Sequence, residues 1–166
     1  MIKTIDNFLT TEECKEYIEY INSRKEKNMF NNMILNFNHK ERNPEIANKL
    51  YERFLKMCDI TDMNVTGCNT LVYSAKYNPG QSFGLHTDTG LYFDKINKIC
   101  TTYTVLIYLN DDFEEGQTVF YKDNEVINII PETGKLLTFD ISLLHEGKEV
   151  KNGIKYWIGF ELIGKF

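Results

Sequence analysis

The sequence predicts an α+β protein in which two N-terminal helices pack on a jelly-roll (double-stranded β-helix) core. Three observations lead there. Apolar residues recur at helical spacing in two early segments, the pattern changes to short alternating runs after Asn64, and turn residues punctuate everything that follows.

The first helix starts at a capping box formed by Thr10 and Glu13, after which Cys14, Tyr17, Ile18 and Ile21 repeat at i, i+3, i+4 and i+7. A second begins at Asn43 with Pro44 in its first position, and Ala47, Leu50, Tyr51, Phe54, Leu55 and Cys58 form its apolar stripe. Between them, residues 22 to 43 are polar except for Phe30, Met33, Ile34, Leu35 and Phe37, a pattern that predicts a loop with one short strand. Leu71, Tyr73, Ala75 and Tyr77 then alternate with polar or small neighbours. Comparable strand-like runs recur near 102 to 109, 117 to 121, 125 to 130, 135 to 139, 143 to 150 and 156 to 162. Turn signals separate them at Asn78-Pro79-Gly80, Glu115-Gly116, Pro131-Glu132-Thr133-Gly134 and Asn152-Gly153. Many short strands after two helices describe a jelly roll, whose mouth suits a small ligand. One domain over residues 1 to 166 is expected, with a helical part at about 10 to 58 and a jelly-roll part at about 64 to 163.

The net charge of −5 and pI near 5.3 provide no overall basic field for phosphate backbones, which argues against nonspecific nucleic-acid partners. No run approaches about 18 apolar residues and no export signal opens the chain, so membrane attachment is not expected. Cys14, Cys58, Cys68 and Cys100 are scattered without a Cys-x-x-Cys pair. Together these features predict a cytoplasmic protein with reduced thiols.

His86-Thr87-Asp88 followed later by His145 carries the chemistry. In an extended strand the side chains at i and i+2 share a face, so His86 and Asp88 can reach one ion while Thr87 points away, and a third ligand must come from another strand. Two imidazoles and one carboxylate suit a non-haem Fe(II) with an open face. A lone His-x-Asp arises readily by chance, and its context gives it weight. Tyr77 to Leu85 leads into His86, Thr104 to Phe120 forms a strand, an acidic turn and a second strand, and Leu144-His145-Glu146-Gly147 runs on to Gly153-Ile154-Lys155-Tyr156. In these segments the chain resembles the Fe(II)/2-oxoglutarate dioxygenases of the prolyl 4-hydroxylase family, and the resemblance spans nearly its whole length.

That resemblance implies Fe(II) held by His86, Asp88 and His145, with 2-oxoglutarate and O2 as cosubstrates and ascorbate as reductant. It implies a hydroxylation that releases succinate and CO2, with a peptidyl proline as target and a proline-bearing peptide or protein as partner. Lys155 stands where the family anchors the far carboxylate of 2-oxoglutarate, Tyr77 where a tyrosine hydrogen-bonds it, and Thr118 where a hydroxyl residue lines the same pocket. Phe83 departs from a tyrosine near the substrate and Glu115 from a turn glycine. The segment from Thr89 to Cys100, with Leu91, Tyr92 and Phe93, is expected to form a substrate lid. His39 is read as a surface or packing residue, and Trp157 as core. Asp88 in the ligand position argues against a halogenase. Two other readings stay open: hydroxylation of another residue, a small molecule or a nucleobase, and a metal-binding jelly-roll module without turnover.

Overall fold

The computed structural model of the protein describes residues 1–24 and 37–165. In chain order the elements are β1 (Ile2–Ile5), α1 (Thr11–Asn22), β2 (Phe37–Arg42), α2 (Pro44–Met57), β3 (Val65–Tyr77), β4 (Phe83–His86), β5 (Tyr92–Asp94) and β6 (Ile99–Tyr108). They continue through β7 (Glu114–Glu115), β8 (Thr118–Lys122), β9 (Glu125–Ile129), β10 (Leu136–Asp140), β11 (Leu144–Gly147), β12 (Val150–Asn152) and β13 (Lys155–Lys165).

Two antiparallel sheets face one another. The larger runs β1-β10-β6-β13-β3-β2 with β5 added against β6, and the smaller runs β4-β11-β8-β9. Because side chains alternate across a strand, the large sheet has two apolar faces. Its outer face presents Val72, Val105, Ile107, Ile158 and Phe160 to α1 and α2, which bury Tyr17, Ile21, Leu50 and Phe54 there. Its inner face meets the small sheet through Leu106, Tyr108, Leu137 and Phe139, with Phe120 opposite. This is the α+β jelly roll with two helices that the sequence predicts.

Both helix starts follow the expected capping chemistry. Thr10 Oγ1 accepts from Glu13 N at 3.2 Å while the Glu13 carboxylate accepts from Thr10 N at 3.0 Å, and Asn43 Oδ1 accepts from Ile46 N at 3.1 Å. Glu13 also receives Arg53 of α2 in a two-pronged pair, each nitrogen 2.6 Å from a carboxylate oxygen, so a single residue caps one helix and clamps it to the other. Arg53 chiefly, through its hydrogen bonds, holds the Glu13 carboxyl below its ordinary pKa.

Several elements differ from the sequence expectation, each for a local reason. The strand expected from Leu71 begins at Val65, because three residues of β3, Asn69 to Leu71, lie opposite the single Glu161 of β13 and break the alternation. The run 143 to 150 is two strands: β11 stays in the small sheet while β12 leaves it to pair with β7. The segment 89 to 100, expected to be a loop, contains β5, which pairs with β6 and leaves Tyr92 and Phe93 exposed. β1 escaped the pattern because four residues are too few to show a period. Phe30, Met33, Ile34 and Leu35 lie outside the described residues. No described helix is long and apolar enough to cross a membrane, and all four cysteines are free thiols.

Replacing Glu13 by Ala removes its half of the capping box and the Arg53 clamp together. The expected loss is about 1–3 kcal/mol of unfolding free energy, read from urea midpoints, with Glu13→Gln intermediate.

Candidate active site

Strand pairing brings the candidate metal ligands together. β11 lies beside β4 with His145 directly opposite His86, and the ring centroids are 4.2 Å apart. Asp88 follows β4 by two residues and is fixed by its own backbone N–H, which donates to the Ile141 carbonyl at 3.0 Å. Ligand atoms of His86, Asp88 and His145 all fall within 4.8 Å of one another. This is the predicted trio, meeting at one point from two strands and a strand end.

Hydrogen bonding decides which atoms face that point. His86 Nδ1 lies 2.6 Å from the Gly84 carbonyl and His145 Nδ1 lies 2.9 Å from the Leu143 carbonyl. A carbonyl can only accept, so each Nδ1 carries the proton and each Nε2 keeps its lone pair for a metal. Thr104 Oγ1 donates to Asp88 Oδ2 at 2.5 Å, whereas Oδ1 faces the imidazoles, 3.5 Å from His86 Nε2 and 3.9 Å from His145 Nε2. The three inward atoms are two neutral nitrogens and one carboxylate oxygen, a set that suits Fe(II).

Burial reinforces the protonation states. His145 is walled by Phe139 and Phe120, and desolvation pulls its pKa below the usual imidazole value against the opposing charge of Asp88. For Asp88, burial raises the pKa, but its contacts with the two imidazoles and the Thr104 hydroxyl bring it below the ordinary carboxylate value, so the carboxylate stays ionised.

Two cavities reach both His86 and Asp88. The narrower, about 90 Å³, is lined by all three ligand candidates together with Tyr77, Thr118 and Lys155. The six residues that the sequence assigns to the metal and the cosubstrate therefore border one space. Lys155 is buried and donates to the Gly116 carbonyl at 2.6 Å, which leaves two of its three N–H groups for a guest. The rings of Tyr77 and Tyr108 lie 5.4 Å from its ammonium, and desolvation brings its pKa down to about 7. Thr118 Oγ1 lies 2.6 Å from the Tyr108 hydroxyl.

The wider cavity, about 360 Å³, shares His86 and Asp88 with the narrow one and has Tyr73, Phe83, Trp157 and Glu161 in its walls. Phe83 packs edge-on against His86 at 4.0 Å. Trp157, expected in the core, also borders both cavities, and His39, expected on the surface or in packing, borders the wider one. Sequence reasoning missed Thr104, Tyr108 and Glu161. Thr104 and Tyr108 share the parity of Leu106 on an assigned strand, which is a usable signal once one inward residue of that strand is known.

The model of the 2OG-Fe(II) oxygenase superfamily matches residues 72–160, more than half of the chain, and the match takes in all three ligand candidates and Lys155. The chain belongs to the 2OG-Fe(II) oxygenase superfamily. It is thus a 2-oxoglutarate-dependent dioxygenase, using Fe(II), 2-oxoglutarate and O2. No curated protein matches the sequence. Solved structures share the oxygenase's fold: a viral collagen prolyl hydroxylase from Paramecium Bursaria Chlorella virus-1, in its 2OG complex, has a TM-score of 0.72 at 23% identity over 98% of this chain and 96% of that one. A Pseudomonas putida prolyl-4-hydroxylase gives 0.69 at 12% identity over 99% and 92%. A Trichoplax adhaerens prolyl hydroxylase, in complex with a hypoxia inducible factor peptide fragment, gives 0.70 at 18% identity over 98% and 83%.

Lys155 enters the oxygenase's narrow cavity from the turn at Gly153. There φ is +76°, and an added Cβ would lie 2.6 Å from the Asp112 carbonyl and 2.8 Å from Phe113 Cα. Gly153→Ala should therefore cost about 1–3 kcal/mol, measured by thermal or urea unfolding, because both backbones must move apart.

Proposed function

We propose that this dioxygenase hydroxylates a peptidyl proline, with His86, Asp88 and His145 as the iron ligands and Lys155 as the anchor for the far carboxylate of 2-oxoglutarate. The observation that carries the reading is the narrow cavity lined by both a metal-type donor set and a buried lysine. Tyr77 supplies a hydroxyl to the cosubstrate and Thr118 lines its pocket. Bound Fe(II), with 2-oxoglutarate and O2, supplies the oxidising chemistry that converts a C–H bond to C–OH and yields succinate and CO2.

The chain's own part is geometric and electrostatic. Two backbone carbonyls hold the imidazoles in the metal-binding tautomer, and Thr104 occupies Asp88 Oδ2 so that only Oδ1 is offered inward. Lys155 sits in a desolvated setting with neutral partners, which favours a guest carboxylate over water. Phe83 and Trp157 shield the space between the two cavities. The wider cavity suits a proline ring and its flanking peptide. The prolyl hydroxylases of the same fold support that substrate, the Trichoplax enzyme through its bound peptide. Tyr92 and Phe93, exposed at 62% and 51% on the short strand β5 that follows Asp88, are the residues of the proposed lid over the peptide. Ascorbate serves as the reductant, and the cytoplasm is the proposed compartment.

Replacing His86, Asp88 or His145 by Ala is expected to weaken Fe(II) binding strongly and to abolish succinate formation, since two ligands rarely hold this labile ion. Full activity in His145→Ala would reject the ligand assignment.

Lys155 generates a second prediction with a definite sign. Only its protonated form pairs with a carboxylate, and in the free enzyme it loses that proton near pH 7. Raising the pH above 7 should weaken 2-oxoglutarate binding by about tenfold per unit until the pKa of the complex is reached, with proton uptake on binding visible by calorimetry in two buffers. Lys155→Ala should raise the 2-oxoglutarate KM at least about tenfold and remove this pH dependence while Fe(II) stays bound.

A further inference from the structure

Glu161 is a buried acid that the chemistry above leaves unused. It is 7% exposed, sits on β13 in the wall of the wider cavity, and lies directly across from Thr104, the residue that holds Asp88. On the inner face of β13 the order is Lys155, Trp157, Gly159, Glu161, so one strand carries a buried cation towards the narrow cavity and a buried acid towards the wide one.

Its surroundings are arranged for an anion and are incomplete as they stand. Asn69 Nδ2 donates to Oε2 at 2.9 Å, and the Tyr73 hydroxyl also hydrogen-bonds the carboxyl. Both partners are neutral donors, and a carboxylate has about four acceptor positions, so two remain to be filled. Lys40 reaches over the Tyr73 ring at 5.0 Å and acts on Glu161 only from a distance. Asp88, on the opposite side, repels the charge, and burial opposes ionisation more than any single partner favours it. His39 faces the same cavity. A carboxyl kept in an aromatic-walled cavity with only neutral hydrogen-bond partners, and with Lys40 in the same wall forming no ion pair to it, is costly unless a charged guest completes it.

The backbone is shaped to present this group. Asn69 to Leu71 bulge out of register opposite Glu161, and Asn69 turns back so that its Oδ1 accepts from Leu71 N at 3.1 Å while its Nδ2 holds the carboxylate. Bulges of this kind re-aim side chains beside active sites.

We propose that Glu161 is the specificity-determining residue of the wider cavity, and that it pairs with a positively charged N–H donor on the prime substrate. This rests on the prolyl hydroxylase reading given above and adds to it: the preferred substrate carries its cation close to the oxidised carbon. Two sources supply that chemistry, a lysine or arginine beside the target proline in a peptide, or the ammonium of a free amino acid.

The test uses the Fe(II)-loaded enzyme. Capped pentapeptides with central proline and lysine, norleucine or glutamate on either side are compared with free L-proline and N-acetylproline amide, scoring added oxygen and succinate. Binding is read separately without O2, from quenching of Trp157, the single tryptophan, whose ring borders the cavity. N-acetyl-lysine amide and N-acetyl-norleucine amide serve as proline-free binding probes. The wild type should favour a cationic probe over its neutral counterpart by at least about tenfold in kcat/KM or Kd, and Glu161→Gln should bring that ratio to near one. The ratio is taken within each variant, so a general loss of folded protein cancels. A preference for lysine-flanked peptides identifies the peptide source, and a preference for free proline over its capped amide identifies the amino acid. Equal use of charged and neutral probes by the wild type, or an unchanged ratio in Glu161→Gln, overturns the assignment. Absence of turnover with every prolyl probe overturns the prolyl reading instead, and the binding ratio of the proline-free probes still decides Glu161.

Discussion

The register between β4 and β11 is the constraint on which the rest of the site depends. His145 stands directly opposite His86, and both rings turn to the same side of a four-stranded sheet. A slip of one residue in either strand would point one imidazole at solvent, because side chains alternate with period two. The register is held on both flanks: β8 pairs with β11 from Leu144 to Gly147, and the Asp88 N–H ties the chain after β4 to Ile141. Metal-type geometry is here a product of sheet pairing, with the side chains locked afterwards by Gly84, Leu143 and Thr104.

The large sheet adds a second level of order by carrying charge along β13. Lys155 lies in the wall of the narrow cavity and Glu161 in the wall of the wide one, with Trp157 and Gly159 between them on the same face. Among the described residues neither charge has an oppositely charged neighbour at hydrogen-bond distance. Buried groups of this kind spend folding free energy, and sites of chemistry are where such expenditure is expected.

Much of this was legible in the sequence, and the limits are physical. Helix starts were readable because capping boxes and a first-position proline are local signals, satisfied within three residues at Thr10 and Asn43. His86, Asp88 and Lys155 stood out because their residue types are rare in strands and their spacing matched a known pattern. Asn69 to Leu71 could not be read, since a bulge is defined by the partner strand and leaves no period of its own. Thr104 was hidden for a similar reason: a threonine in a strand is commonplace, and only its contact with Asp88 distinguishes it. Glu161 sits in a run of otherwise apolar strand residues, a visible anomaly whose meaning needed the cavity beside it.

The division of the large sheet into an outer face under the helices and an inner face around the site has a consequence for how the protein can change. Tyr156 and Ile158 belong to the helix-facing cluster, while their neighbours Lys155, Trp157 and Glu161 border the cavities. Substitutions on alternate residues of one strand thus fall on separate properties, heat tolerance on one side and selectivity on the other. Changes deeper under the helices, more than about 7–10 Å from the cavity side chains and without shared partners, combine nearly additively with changes in the cavity. A lineage, or an engineer, can accumulate stabilising changes beneath the helices and later spend that reserve on a redesigned cavity, with the β-strand itself acting as the insulator between the two.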